Sequence, residues 1–201
     1  MLRLFKRCLT AKYLSVGEGG DYAVELNGDT LSLLFEKSDG LEDWRNNFDF
    51  PAKPYRRMEH SWRCHRGFLK VWKAIEPYVA EYIMSPKVRR IEIIGYSHGA
   101  AMALLCYEYC IFHRPDVEVR GVGFGCPRVF WGTVPKEVKR RFDSFVVVRN
   151  GNDIVTHVPP ALFGFRHISR VVKIGKGDSR GLIIDHTPGE YIRHLKEHRA
   201  I

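Results

Sequence analysis

Val88-Arg89-Arg90-Ile91-Glu92-Ile93-Ile94-Gly95-Tyr96-Ser97-His98-Gly99-Ala100-Ala101-Met102-Ala103-Leu104-Leu105 is the stretch on which the reading of the fold turns. Val88 to Ile94 is a short β-branched run and predicts a buried strand. Ala100 to Phe112 is almost wholly apolar, is stopped before Pro115, and predicts a buried helix. Between them Gly95 to Gly99 must reverse the chain within a few residues. Gly95 and Gly99 lack β-carbons, so strand and helix can close around a strained residue 97, and the Ser97 hydroxyl then stands at the head of the helix. There the helix dipole and its unpaired backbone N–H groups favour negative charge on a bound carbonyl oxygen. The Gly-x-Ser-x-Gly pattern arises by chance often enough to be only suggestive alone; the strand before it and the helix after it are what give it weight.

Working outward, Tyr22 to Leu26 and Thr30 to Glu36 read as strands joined at Asn27-Gly28, so the chain opens with an antiparallel hairpin. Asp39 to Phe50 carries Leu41, Trp44 and Phe48 at helical spacing before Pro51 and Pro54 break the pattern. Gly67 to about Ile83 predicts a core-facing helix despite Pro77. Val117 to Phe124, Ser144 to Val148 and Val171 to Ile174 predict strands, and Pro188 to His198 a closing helix. Strands alternating with helices imply an α/β architecture, a compact, mostly parallel central sheet flanked by helices. With 201 residues, no internal repeat and no linker composition, residues 1–201 are expected to form a single domain.

Composition excludes more than it assigns. A hydrophobic fraction of 45% and a charged fraction of 27% rule out disordered and fibrous classes. The 32 basic and 23 acidic residues give a net charge of +9, which would suit nucleic acid or an anionic membrane surface, but the basic residues are spread along the chain and no recognition motif accompanies them. The five cysteines, Cys8, Cys64, Cys106, Cys110 and Cys126, show no disulfide-framework spacing, which points to a reducing compartment. Cys106, Cys110 and His113 share one helix with no second ligand pair and are read as structural rather than metal-binding. Met1 to Leu14 lacks the apolar core of a signal peptide, and no run approaches about 18 apolar residues, so a cytoplasmic location is expected. Leu2 to Arg7 is weakly amphipathic and fits either a packed terminus or a segment touching a membrane surface.

A serine hydroxyl becomes a nucleophile only when a base takes its proton, and in a strand-turn-helix site the orienting acid and then the base follow later in the chain. Asp153 comes directly after the strand ending near Arg149 and fits the acid; Asp178 and Asp185 compete on order alone. Among His157, His167, His186, His194 and His198, His186 leads because it lies in a loop ahead of the last helix, where an imidazole can swing over the sheet edge. This chemistry needs no metal and no organic cofactor.

At this point the chain resembles the class 3 lipase family, which contains the fungal triacylglycerol lipases and plant acylhydrolases. The resemblance runs from about Leu31 to Leu195. It is carried by Phe35-Glu36-Lys37-Ser38, Asp43-Trp44-Arg45-Asn46-Asn47-Phe48, Cys64-His65-Arg66-Gly67-Phe68-Leu69, Gly95 to Gly99 and Phe124-Gly125-Cys126-Pro127-Arg128-Val129. The most specific part is Asn152-Asp153-Ile154-Val155-Thr156-His157-Val158-Pro159-Pro160, followed by Phe163-Gly164-Phe165-Arg166-His167. The resemblance implies an α/β-hydrolase fold with Ser97 as nucleophile, Asp153 as acid and His186 as base, and with the backbone N–H groups of Ser38 and His98 as the oxyanion hole. Glu36-Lys37 stands where the family usually has Arg-Gly. In fungal relatives the segment after this loop is a lid; Leu41, Trp44 and Phe48 would suit a lid or a core-packed helix equally.

The expectation is therefore a serine carboxylic ester hydrolase, a lipase acting on acylglycerol or related lipid esters, with a phospholipase A1-type enzyme or a small-ester esterase as variants. A catalytically silent lipid-binding module is the rival from another class. The expected partners are a lipid or small-ester substrate and a transient anionic membrane or lipid surface, with no nucleic acid and no obligate protein partner.

Overall fold

The computed structural model describes residues 1–17, 20–36, 52–55, 62–176 and 183–198. The central sheet is built from β1 (Leu14–Val16), β2 (Gly20–Asn27), β3 (Thr30–Phe35), β6 (Arg90–Tyr96), β7 (Glu118–Phe124), β9 (Phe145–Asn150) and β11 (Arg170–Ile174), which lie side by side in that order. β1 and β2 are antiparallel to their neighbours at one edge, and β3, β6, β7, β9 and β11 run parallel. This is the mostly parallel sheet with an opening hairpin that the sequence predicts. The hairpin differs in detail: Asn27 pairs with Thr30, so the turn residues are Gly28 and Asp29 rather than Asn27 and Gly28.

A parallel sheet must be covered on both faces. On one face lie α2 (Arg66–Ile83), which continues through Pro77, and α3 (His98–His113). Phe68, Trp72, Ile75 and Val79 of α2 are buried, and α3 buries every residue from Gly99 to Cys110, as a helix apolar on all sides requires. The opposite face is covered by α1 (Leu2–Thr10) and α5 (Pro188–Glu197), which bring Phe5, Cys8, Tyr191 and Leu195 onto Leu34, Ile94, Tyr96, Phe124 and Val148. The amphipathic start of the chain is thus a packed helix. Phe5 sits 4.7 Å from the Phe124 ring and 5.2 Å from that of Tyr96, and burying such a side chain contributes about 2–3 kcal/mol.

A second, four-stranded antiparallel sheet goes beyond what the sequence pattern predicts. It is ordered β10 (Phe165–Arg166), β8 (Phe130–Trp131), β5 (Trp62–His65) and β4 (Ala52–Tyr55). Its strands are two to four residues long, too short for an alternating pattern to register, and Pro54 fits the edge position of β4 because it needs no ladder donor there. A short helix, α4 (Lys136–Arg140), follows β8. Among the described residues no helix is long and apolar enough to cross a membrane. The predicted helix over Asp39 to Phe50 lies outside the described residues.

Candidate active site

β6 ends at Tyr96 and α3 begins at His98, so Ser97 alone makes the turn. It adopts φ 59° and ψ −125° and is the one non-glycine residue at positive φ among those described. Such a conformation is strained and persists only where its surroundings leave no alternative. Here they are explicit: a β-carbon on Gly95 would lie 2.4 Å from the Gly99 carbonyl oxygen, and one on Gly99 would lie 2.3 Å from that of Phe35. The Ser97 N–H donates to the Phe124 carbonyl at 2.9 Å, fixing the turn to the neighbouring strand.

Asp153 enters from the end of β9. It caps a single 3₁₀ turn, Ile154–His157, with Oδ1 accepting the Val155 N–H at 2.9 Å. His186 enters from the turn Ile184–His186 just before α5. The three side chains meet: His186 Nε2 lies 2.8 Å from Ser97 Oγ, and His186 Nδ1 lies 2.8 Å from Asp153 Oδ2. The carboxylate can only accept, so Nδ1 carries the proton and the Nε2 lone pair faces the serine hydroxyl. All three are buried, at 3%, 0% and 2% exposure for Ser97, Asp153 and His186, so the charge interactions between them are little screened by water.

Two phenols that the sequence did not single out hold this arrangement. The Tyr191 hydroxyl donates to Asp153 Oδ2 at 2.7 Å, giving the carboxylate a third donor, and receives the Asn150 N–H at 3.2 Å. The Tyr96 hydroxyl donates to the backbone carbonyl of His186, and its ring stacks on the imidazole with centroids 5.2 Å apart. The closing helix predicted over Pro188 to His198 gives no sign of this role for Tyr191, because the direction of a phenol is invisible in a helical period. Gly125 is a third omission: at φ 59° it presses against the imidazole, where a β-carbon would sit 2.7 Å from His186 Cε1.

The remaining candidates are placed elsewhere. The Asp185 carboxylate accepts the Asn152 N–H at 2.7 Å, and the Asp185 carbonyl accepts from Asn150 Nδ2 at 2.8 Å, so this residue anchors the loop that carries His186. His194 Nδ1 bonds Asn150 Oδ1 at 2.5 Å, and His198 is exposed. His167 Nε2 meets the Thr156 carbonyl at 2.8 Å, and burial pushes its imidazole down to about 4. His157 lies 3.4 Å from Arg149, and burial together with Arg149 and Arg128 lowers its proton affinity. Asp178 and Ser38 lie outside the described residues, as do residues 39–50, for which the sequence suits a lid or a core-packed helix. His98 occupies the first position of α3, where backbone N–H groups lack intrahelical partners. Its imidazole, 5.5 Å from the Phe68 ring, is pushed down to about 4 by burial and by His65. Cys106 and Cys110 are buried in α3; among the described residues no group of three or more His, Cys, Asp or Glu could hold a metal ion.

Comparison with known proteins gives this geometry its context. The model of the family "Lipase (class 3)" matches residues 32–163. The secreted mono- and diacylglycerol lipase LIP1 of Malassezia globosa is 36% identical over 175 residues, covering 83% of this chain and 53% of that protein. A lipase of Rhizomucor miehei is 26% identical over 152 residues, 69% of this chain and 40% of that protein; the chain thus spans about half the length of these curated relatives or less. Among solved structures, the native propeptide complex of Rhizomucor miehei lipase superposes with a TM-score of 0.70 at 24% identity, covering 81% of this chain and 55% of that one. A triacylglycerol lipase whose catalytic centre is described as a serine-protease triad superposes at 0.68 and 22%, covering 83% and 66%. The fold is that of the α/β-hydrolases.

These relatives also correct one expectation. The Malassezia globosa and Malassezia restricta proteins and one from Fusarium solani are named as secreted, which points to an extracellular rather than a cytoplasmic setting. Cysteine pairing is a poor guide to the compartment here because all five thiols are buried. Burial pushes those of Cys8 and Cys64 up to about 12 and disfavours the reactive thiolate, so unpaired cysteines here do not report the redox state outside. The family match over residues 32–163, together with the elbow and the strand ends it spans, establishes that the chain belongs to the class 3 lipase family.

Proposed function

We propose that the chain is a serine carboxylic ester hydrolase that acts on acylglycerols through an acyl-enzyme on Ser97. The observation that carries the proposal is the unbroken relay from Ser97 Oγ through His186 to Asp153, with both links at 2.8 Å. His186 Nε2 takes the hydroxyl proton as Ser97 Oγ attacks the ester carbonyl; Asp153, held by Tyr191 and Val155, orients the imidazole and stabilises the imidazolium that forms. The imidazolium returns its proton to the departing alcohol, leaving an acyl-serine. Water then attacks the acyl carbon, gives its proton to His186, and releases the fatty acid and free Ser97. The backbone N–H groups of His98 and Ser38 are assigned to the oxyanion, each contributing on the order of 3 kcal/mol to lowering the barrier.

The substrate class follows the relatives, whose names specify mono- and diacylglycerol or triacylglycerol lipases. A catalytically silent lipid-binding module is disfavoured by the relay itself, since a binding pocket has no use for a buried carboxylate aligned on a histidine and a strained serine. The test is a chain-length series of chromogenic esters with mono-, di- and triacylglycerol and a phospholipid, run on the wild type and on Ser97→Ala. Turnover in the wild type that vanishes in the variant supports the reading, and equal turnover in both overturns it.

A further inference from the structure

Solvent-exposed large apolar side chains are scattered singly on most proteins, but here three are gathered at one place. Leu162 is 91% exposed, Phe163 58% and Trp131 37%. Leu162 and Phe163 occupy the tip of a tight turn, Ala161–Phe163, between Pro160 and Gly164. The turn cannot fold back to hide them, because it is held on both sides. The Phe163 N–H donates to the Pro160 carbonyl at 3.1 Å and the Gly164 N–H to that of Ala161 at 2.9 Å. From β8, Trp131 Nε1 donates to the Phe163 carbonyl at 2.7 Å and the Gly132 N–H to that of Gly164 at 2.9 Å.

The turn lies on the rim that carries the nucleophile. It follows Asp153 by a single 3₁₀ turn and two prolines, and Phe165, directly beyond it, packs 5.8 Å from the His65 ring. His65 packs on Phe68 at 4.3 Å and Phe68 on His98, the neighbour of Ser97, at 5.5 Å. The surroundings are basic. The Arg63 guanidinium lies 5.3 Å over the Trp131 ring. Exposed Arg166 and Lys139 line, with His167, a cavity of about 290 Å³ to which no described acidic residue contributes; Glu137, on the same short helix as Lys139, is not part of its lining. The apolar area on offer, on the order of 400 Å², is about half of what each partner of a stable protein pair buries. It suits instead a shallow insertion between lipid headgroups, where a few rigid apolar tips and surrounding cations suffice.

Resting on the lipid-hydrolase reading, we propose that the Leu162–Phe163 turn is a fixed apolar wedge that inserts into an anionic phospholipid surface. Arg63, Lys139 and Arg166 engage the phosphates around it, so that the Ser97 rim faces the lipid. The test uses Ser97→Ala, whose binding is independent of hydrolysis, and measures its partition onto vesicles of phosphatidylcholine alone and of phosphatidylcholine with phosphatidylglycerol. The expected result is preferential binding to the anionic vesicles, weakened by salt. Binding should fall about tenfold or more when Leu162→Ser and Phe163→Ser are added, and about fivefold for each of Lys139→Gln and Arg166→Gln. All four positions are exposed, and an unchanged thermal midpoint verifies folding. Undiminished partition of the Leu162→Ser/Phe163→Ser variant, or equal partition onto neutral and anionic vesicles, overturns the proposal. So does concentration-dependent self-association of the parent that this variant abolishes, since a second copy would then cover the turn. Anionic-vesicle binding that requires the wedge, in a chain whose wild type turns over no ester, would leave the wedge standing and sink the hydrolase reading alone.

Discussion

Ser97 and His186 meet across 2.8 Å, yet the two sides of that contact are built by different forces. The elbow holding Ser97 is a steric device: two glycines bring backbone against backbone, and the serine has nowhere else to go. The loop holding His186 is a polar one, tied by the Tyr96 hydroxyl to its carbonyl, by Asn150 to the Asp185 carbonyl and by the Asp185 carboxylate to Asn152. Repulsion at van der Waals distance is steep and tolerates no added atom, whereas a hydrogen bond can be removed at a cost of about 1–3 kcal/mol while its neighbours hold. One side should therefore fail abruptly under substitution and the other by degrees.

The largest effect tests the chemistry that both sides serve. Ser97→Ala removes the oxygen proposed to attack the ester without adding bulk, and kcat on a dissolved ester should fall at least about 10⁴-fold with the thermal midpoint held. Gly99→Ala probes the steric side. Its β-carbon would meet two carbonyl oxygens at 2.3 and 2.4 Å, and the thermal midpoint should drop by about 10 °C or more. An unchanged midpoint would mean that the elbow is not held by close approach. Tyr191→Phe probes the polar side by deleting one of three donors to Asp153. The expected outcome is a fall of about tenfold in kcat with KM and folding little altered, because the His186 and Val155 bonds remain. A collapse comparable to Gly99→Ala would erase the distinction between the two sides.

A further effect is one of pH, and each side supplies a histidine for it. His98 on the elbow and His167, bonded to the turn after Asp153, both have folded-state values lowered from 6.5 to about 4. Below pH 6.5 the unfolded chain takes up these protons while the folded chain does not. The stability they contribute is thus present above that pH and lost as pH falls toward 4. Thermal midpoints measured across this window should decline, and His167→Gln should flatten the decline.

The same contrast explains what was legible in the sequence. The elbow needs only residues 88–112, so composition and period were enough to place β6, the turn and α3. Asp153 and His186 required either a resemblance or the structure, since from the residues alone Asp178, Asp185 and several histidines competed. What decides among them, which strand end faces which, is long-range. The phenols of Tyr96 and Tyr191 were invisible for the same reason, since each looks like a core aromatic until its hydroxyl is aimed. The small antiparallel sheet escaped because strands of two to four residues leave no period. The cytoplasmic expectation fails because unpaired thiols mark a compartment only where they are accessible, and burial alone accounts for the free thiols here.

Ser97 and His186 are 89 residues apart in the chain, and five parallel strands must find their neighbours before the two can touch. Elbow and helix are local and inexpensive in loop-closure entropy; the juxtaposition of serine and imidazole is not. The proposed ester turnover would in this sense be a clock for assembly: it would register only the final docking of the sheet, and during refolding it should lag behind the return of helical structure.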